Sequence, residues 1–542
     1  FLTSILRKYK NYISIKEIPF KENIAVFFRC LLDKNKKNKI GSILDIQHFA
    51  FVKTVTDVLR VYVALSQGDI TLKSNTKFIS LDRKCRRLIL SVLNNIAMNN
   101  KNIYDDLSRH EFLWKKAFEK LHVGEYKNKY TYIYEVAFNF RNDNYSTYYG
   151  LLENKKINQK EYLDLLKTRP GEFARRLDYI VRNSNYDLDI TLSVFKEVSK
   201  EVSTKVLFEL WEHFKNRDLY DCRTFKINKQ YNTIYKKIED CRENITLEVR
   251  NQVIEVIENS LMDIYSNYEY KGKVYLEESL KNYALPISNR NASSQNKTLT
   301  FGTRIKLKDE SLDFLRFFTH FKNIKEGPYR RVDIDLSMEF VNKDFTEGTS
   351  LSWHSMAGGK RFNSYHSGDI VSAPKGASEF IDLDYKKAKE FYRYAIVTNS
   401  VFTGQSFADI PECFSGVMFM NKDARKGKVF NPEFVEHKFA LTQRGSNQNI
   451  AFALDLENLE LIWIDRPNNY WYSGIVASGS NDIIFALQDA LKEHMNLYNF
   501  FMLHQKHLTI VDNKEDADFI IGDSIDANLK PYDIEKIASD WL

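Results

Sequence analysis

The sequence has few of the residues that cross-link or punctuate a chain. Its five cysteines, Cys30, Cys85, Cys222, Cys241 and Cys413, lie far apart and form no C-x-x-C pair, which argues against a disulfide framework and against a zinc ribbon. Each reads as a small buried hydrophobe in a reducing compartment. The 20 glycines and 9 prolines are too few among 542 residues for a low-complexity or fibrous chain. No apolar run approaches the roughly 18 residues of a membrane span, and the opening stretch FLTSILRKYKNYISIKEIPF lacks the basic, apolar and cleavage-site order of a signal peptide. A cytoplasmic protein is the expectation. Because the first residue is Phe1, the numbering is expected to begin inside a longer product. No strand runs into a G-x-G-x-x-G turn and helix, which disfavours nucleotide-dependent transferases, and the unusual stretch 366–384 holds no recognisable catalytic triad. An enzyme is not expected.

Aromatic residues make up 14% of the chain and apolar residues 43%, so a packed interior is assured, and the length calls for two or three domains. Charge is unevenly spread. Residues 1–100 carry 18 Lys and Arg against 7 Asp and Glu, whereas residues 512–542 carry 9 acids against 3 lysines. This asymmetry suits either a polyanion partner for the basic end or a meeting of the two ends. The densest basic runs are DKNKKNK (33–39) and DRKCRRL (82–88). The second run makes Arg83, Lys84, Arg86 and Arg87 candidates for a nucleic-acid surface. Neither run has the interleaved aromatics of a single-strand stacking platform, so an ordinary solvated surface remains open.

Apolar residues recur at helical spacing through residues 1–285. In TDVLRVYVALSQGD, Thr56 is positioned to cap and Gly68 to stop a helix. In RPGEFARRLDYIVRN, Pro170 suits the first helical position, and Phe173, Leu177, Ile180 and Val181 form one stripe. Arg175, Arg176 and Arg182 lie off that stripe, and they are expected to meet either an acidic partner or acids of this chain such as Asp178. Two more helices fit STKVLFELWEHFKN and LEVRNQVIEVIENSLMDIYSN. Pro286 and a run of Ser, Asn and Gln mark a linker over 286–298. After it, short alternating segments from TRIKLK to LELIWID predict an antiparallel β-sandwich over 299–470. A helix near 481–504 and an acidic tail are expected within 471–542. The fold class expected is therefore multidomain α + β, an irregular helical half preceding a β-sandwich.

The most unusual stretch is HSGDIVSAPKGASEFIDLD (366–384), which packs a Gly-Asp turn, a Pro-Lys-Gly turn and spaced acids into one loop. Upstream, RRVDIDLSMEF places Asp333 and Asp335 two apart, on one face of a strand, with Val332, Ile334 and Leu336 on the other. The order GTRIKLKDESLDFLRFFTHF, RRVDIDLSMEF, the loop itself, YAIVTNSVFTGQSFADIPECFSG and AFALDLENLELIWID resembles the TerD domain of bacterial tellurium-resistance proteins over residues 299–466. The helical stretches are similar to those of larger bacterial Ter-associated proteins, in which a helical region precedes a TerD-like domain. This resemblance implies a β-sandwich with calcium at one edge, held here by Asp333, Asp335 and Asp369 with Glu379 reaching back. It also implies a scaffold role with a protein partner in a stress or defence system. TerD loops continue with Asn and further Gly and Asp, whereas this chain has Ile370 and SAPKGAS. Lys375 then stands where carboxylates would be, so the loop is expected to bind calcium weakly, looser than roughly 10⁻⁴ M, or to have lost the metal and kept only the backbone geometry, with Asp333 and Asp369 satisfying backbone donors. Weaker constellations are the His504–His507 pair, His354 and His366 around Gly358 and Gly359, and Cys413 with His437.

Overall fold

The computed structural model describes residues 21–31, 49, 52–100, 102–154, 157–228, 233–266, 272–287, 299–307, 314–327, 330–420, 435–467 and 481–542. They form two compact units, Phe1–Leu165 and Leu166–Leu542. This division falls earlier than the 286–298 linker, so several helices that follow residue 166 belong to the same unit as the sheets.

The first unit is helical. Helices at Lys21–Leu31, Val55–Leu65, Arg83–Asn99, Glu111–Leu121 and Thr131–Arg141 share a core that includes Phe28, Leu59, Tyr62, Leu93, Trp114 and Phe140. The helix Val55–Leu65 is capped by Thr54, not Thr56: the Thr54 hydroxyl accepts from the Asp57 N–H while the Asp57 carboxylate accepts from the Thr54 N–H. This reciprocal pairing satisfies two donors that a helix start leaves open.

The second unit opens with helices Pro170–Val181, Leu188–Val198, Thr204–Lys215 and Leu247–Tyr265. Between the last two lies a hairpin of β1 (Cys222–Asn228) and β2 (Thr233–Glu239), in a region read from the sequence as helical throughout. A short strand follows, β3 (Lys273–Leu276). Next come β4 (Arg304–Lys306), β5 (Phe314–Phe321), β6 (Ile334–Val341), β7 (Gly348–Leu351), β8 (Tyr365–His366), β9 (Ala377–Leu383), β10 (Tyr394–Val401), β11 (Cys413–Met420), β12 (Val435–Ala440), β13 (Gln448–Asp455) and β14 (Glu460–Pro467). These strands build two antiparallel sheets, ordered β4-β14-β13-β10-β6-β7 and β12-β11-β5-β9-β8.

One core joins the inner faces of the two sheets. Leu336, Met338 and Phe340 of β6, Val397 of β10 and Phe452 of β13 pack with Leu315 and Phe317 of β5, Ile381 of β9 and Val417 of β11. Period-two alternation sends Asp335, Ser337, Glu339 and Val341 of β6 to the opposite face. There the helix Asn481–Ala490 lays Ile483, Ala486 and Leu487 on Val341, Ile396, Ile450 and Ile462.

The expected long C-terminal helix is two helices, Asn481–Ala490 and Leu497–Met502. The acidic stretch after Asp512 is not a free tail. β15 (Thr509–Val511) and β16 (Phe519–Ile521) flank β3 in a parallel three-stranded sheet. Glu277, just past β3, accepts from the backbone N–H groups of Asp523 at 2.8 Å and Ser524 at 3.0 Å. The backbone of this stretch is thus tied into the second unit. Among the described residues, no helix is long and apolar enough to cross a membrane.

A carboxylate cluster at one end of the sheets

The structure brings Asp333, Asp335 and Asp369 together: one carboxylate oxygen from each lies within 4.8 Å of the others. Asp333 precedes β6 and Asp335 is its second residue, while Asp369 comes from the loop joining β8 to β9. Asp333 and Asp335 are 3% and 4% exposed, and Asp369 is on the surface. A buried polar group is ordinarily hydrogen-bonded, yet Asp333 Oδ1 and Asp335 Oδ2 have no partner.

Three side chains, Glu379 fully buried and Asn323 partly exposed among them, hold the loop in place. Glu379 Oε1 accepts from the Ile370 N–H at 2.8 Å, and its Oε2 accepts from the Leu336 N–H at 3.0 Å, so one carboxylate ties the loop and the β9 sheet to the β6 sheet. Asn323 Oδ1 accepts from Val332 at 3.1 Å and Ala373 at 2.9 Å. His366 Nδ1 accepts from the Gly368 N–H at 3.0 Å. Its proton therefore sits on Nε2, which donates to the Leu336 carbonyl at 3.0 Å. Gly368 has φ +98°, a conformation open to glycine and costly for other residues. With their buried N–H groups satisfied by neighbours, the two ends of the loop leave Asp369 aimed at Asp333 and Asp335.

The electrostatics follow from burial and crowding. Burial, then the charges of Asp333 and Asp369, push Asp335 up to about 7. Burial raises Asp333 as well, with Asp369 adding to it and Arg331 opposing. Arg331 Nη2 lies 3.3 Å from Asp333 Oδ2, with its side chain half in solvent. Burial drives Glu379 to about 8 despite its two N–H donors, with Asp335 and Asp369 contributing. Glu379 thus braces the cluster through the backbone and stands outside the trio of convergent oxygens. Lys375, expected among the acids, is exposed, and the charges acting on Asp335 are those of Asp333 and Asp369. The sequence carries no signal for Asn323 or Arg331. The signal available for His366 was its place at the head of the Gly-Asp turn.

The donor set suits a hard cation. Calcium takes six to eight oxygens from carboxylates, carbonyls and water, and two of the three acids here offer buried oxygens that no protein donor satisfies.

The other expected sites scatter. Arg176 Nε donates to Glu172 Oε1 at 2.9 Å, Arg182 Nε to Asp178 Oδ1 at 3.1 Å, and Arg175 Nη1 to the Gly171 carbonyl at 3.1 Å. Asp178 also receives His213 at 2.8 Å and Arg217 at 2.6 Å. Its burial would raise its pKa, but these partners hold it far below the usual carboxylate range. In the first unit, Arg83, Lys84 and Arg87 are exposed at the start of their helix, whereas Arg86 reaches Glu125 at 3.5 Å. The run at 33–39 lies outside the described residues. His504 is 1% exposed, stacked 4.0 Å from the Tyr265 ring, and sits in a turn after Leu497–Met502 instead of on a helix. His437 pairs in register with Val417, four residues along β11 from Cys413, and burial strongly raises the Cys413 thiol. Both facts oppose a Cys-His nucleophile. Gly358 and Gly359 serve close packing: a Cβ at Gly358 would lie 1.8 Å from the Ser350 carbonyl oxygen.

No protein-family model matches this chain, and no curated protein matches it.

Proposed function

We propose that the chain is a cation-binding scaffold protein of the TerD-like kind, with calcium held by Asp333, Asp335 and Asp369 and a protein partner as its target. The observation that carries this reading is the convergence of three carboxylates within 4.8 Å with two buried oxygens left unpartnered. Metal-free, such a cluster confines like charge in a site that burial has already made costly for ions. A divalent cation relieves that cost. Glu379 acts as the brace that keeps the loop closed, which suits its bonds to two backbone N–H groups.

The resemblance to TerD domains supports the same reading and adds its setting: a bacterial cytoplasmic stress-response or defence system of the tellurium-resistance type, with no catalytic role. Three carboxylates, one of them exposed, suit a dissociation constant on the order of 10⁻⁴ M. The alternative of a nucleic-acid-binding protein draws on Arg83, Lys84 and Arg87. It draws nothing from Arg176 and Arg182, which pair with acids of their own helix.

Calorimetric titration of the purified chain with calcium tests the reading. One site is expected in the wild type and none in Asp369→Ala. Absence of heat and of any melting shift at 10 mM calcium would sink it.

A further inference from the structure

On the outer face of the six-stranded sheet, away from the loop, Glu339 is 6% exposed and its Oε1 has no hydrogen-bond partner. It lines a cavity of about 240 Å³ together with Phe345, Glu347, Thr349, Ile396, Ile483 and Ile484. The walls come from β6, the turn and strand that follow it, β10 and the helix Asn481–Ala490. Two carboxylates line this space, and among the described residues no lysine, arginine or histidine does. A buried acid without a charge partner or hydrogen-bond donor is costly, and packing alone would place a methionine or leucine here.

A second feature shapes the cavity wall at Phe345. Phe345 has φ +59°, an outlier for a bulky side chain. The turn that holds it is fastened by Asn342 Oδ1, which accepts from the N–H groups of Thr346 at 3.0 Å and Glu347 at 3.3 Å. The strained backbone sets the Phe345 ring parallel to Tyr394, with ring centroids 5.8 Å apart. Strain of this kind persists where surrounding structure enforces it, and it clusters at ligand sites.

We infer that this cavity binds a small organic ammonium ion, with Glu339 pairing with the cationic nitrogen and Ile396, Ile483, Ile484 and Phe345 covering its hydrocarbon body. The chemistry is selective in two ways. The carboxylate supplies the missing counter-charge and accepts the N–H donors of a protonated amine, while an aromatic ring in the lining, Phe345, favours a cation over a neutral group. An alcohol of the same shape gains only the apolar burial, and a carboxylate of the same shape is repelled by Glu339 and Glu347. The site is separate from the calcium cluster and does not depend on it.

The test uses cyclohexylammonium chloride as the probe, with cyclohexanol and cyclohexanecarboxylate as controls, on the full chain in the presence of a calcium chelator. The melting temperature should rise with cyclohexylammonium at millimolar concentration and stay unchanged with cyclohexanecarboxylate. The Glu339→Gln variant should lose at least tenfold in affinity for the ammonium while its response to cyclohexanol stays as in the wild type. Glu339→Gln is nearly isosteric. Should it nevertheless fail to fold, Ile484→Phe, which fills the cavity and leaves Glu339 in place, should abolish binding. Affinity should also fall about tenfold per pH unit below about 8, where burial alone has raised Glu339. The other titratable lining group is Glu347 of the turn; β10 contributes Ile396, and the helix contributes Ile483 and Ile484. Equal binding of ammonium and alcohol, binding that survives Glu339→Gln, or no shift with any probe would overturn the inference.

Discussion

Replacing Asp335 by asparagine should make the calcium-free protein more stable, a result opposite in sign to most substitutions of buried polar residues. In the folded chain, burial and the neighbouring charges of Asp333 and Asp369 lift Asp335 from 3.8 to about 7. Between these values the folded state keeps a proton that the unfolded state has released. Stability contributed by the protonated form is therefore complete below about pH 4 and is lost as pH rises to about 7, after which it changes no further. A tenfold change in proton affinity is worth about 1.4 kcal/mol, so the loss reaches about 4 kcal/mol at most. The asparagine side chain has no such proton to lose. At pH 8 with chelator, Asp335→Asn should exceed the wild type by roughly 2 kcal/mol, half the maximum, since water entering the site relieves part of the repulsion. At pH 4 the two should agree.

Calcium should reverse the order. At 10 mM, about a hundred times the proposed dissociation constant, the wild type gains about 2.7 kcal/mol, and the variant, without one of three carboxylates, gains little. Thermal unfolding monitored by circular dichroism at pH 4 and pH 8, with chelator and with calcium, measures all the arms. At roughly 2.1 cal/mol/K per residue, a unit as long as Leu166–Leu542 shifts by about 1 °C per kcal/mol, so the crossing is read from replicate melts. If Asp335→Asn is destabilised by the same amount at both pH values with chelator, the carboxylates do not repel one another, and the argument for a cation fails.

Arg316 and Asp382 form a buried pair across β5 and β9, with Nε–Oδ1 at 2.6 Å and Nη2–Oδ2 at 2.9 Å and the guanidinium 4.0 Å from the Phe380 ring centroid. Asp382→Asn should cost about 3–5 kcal/mol in chemical denaturation, whereas Arg316→Met with Asp382→Leu should cost far less, because only the single change strands a charge. Deleting residues 512–542 removes β16 and the helix Ile534–Asp540, and with them Trp541 from its edge-on contact with Phe501 at 5.3 Å. The truncated chain should melt at a clearly lower temperature and bind heparin no more tightly than before; tighter heparin binding at unchanged stability would favour a meeting of the acidic stretch with the basic end. Arg175→Ala, Arg176→Ala and Arg182→Ala together should cost about 1–2 kcal/mol from two i, i+4 ion pairs and the Asp178 network, measured by urea unfolding, with heparin retention unchanged.

What could be read in advance divides along a physical line. Most strands of the two large sheets are legible because β-branched and aromatic residues recur over six to eight positions between turn residues, as in YAIVTNSV and QNIAFALD, but β7 and β8, four and two residues long, are too short to show such a pattern. The helices Pro170–Val181 and Thr204–Lys215 were legible from local stripes. The hairpin β1–β2 carries the same period-two signal, CRTFKIN against TIYKKIE, but it lies between long helical patterns that outweighed it. The three-stranded sheet was not legible at all. Each of its strands has three or four residues, and β3 pairs with partners more than 230 positions away in the chain. Pairing at that distance leaves no periodic trace, and the acidic composition around β16 read as a solvated tail because its compensating contacts, such as the backbone N–H groups that meet Glu277, belong to the fold.

The carboxylate cluster divides in the same way. The shared face of Asp333 and Asp335 follows from strand geometry, and Asp369 from a Gly-Asp turn. Whether Lys375 cancels them depends on the path of the loop between Gly368 and Gly376. That path is set by Glu379, Asn323 and His366, side chains whose partners are backbone N–H groups with no identity in sequence. A lysine six residues after an acid is as free to point away as towards it. Here the turn at Gly376, with φ +88°, leaves Lys375 in solvent, while Asp369 is held against β6 by the bond from Ile370 to Glu379. Charge counted along a loop therefore overstates the repulsion at this site, and the quantity that decides cation binding is which of the loop's side chains its braces leave facing inward.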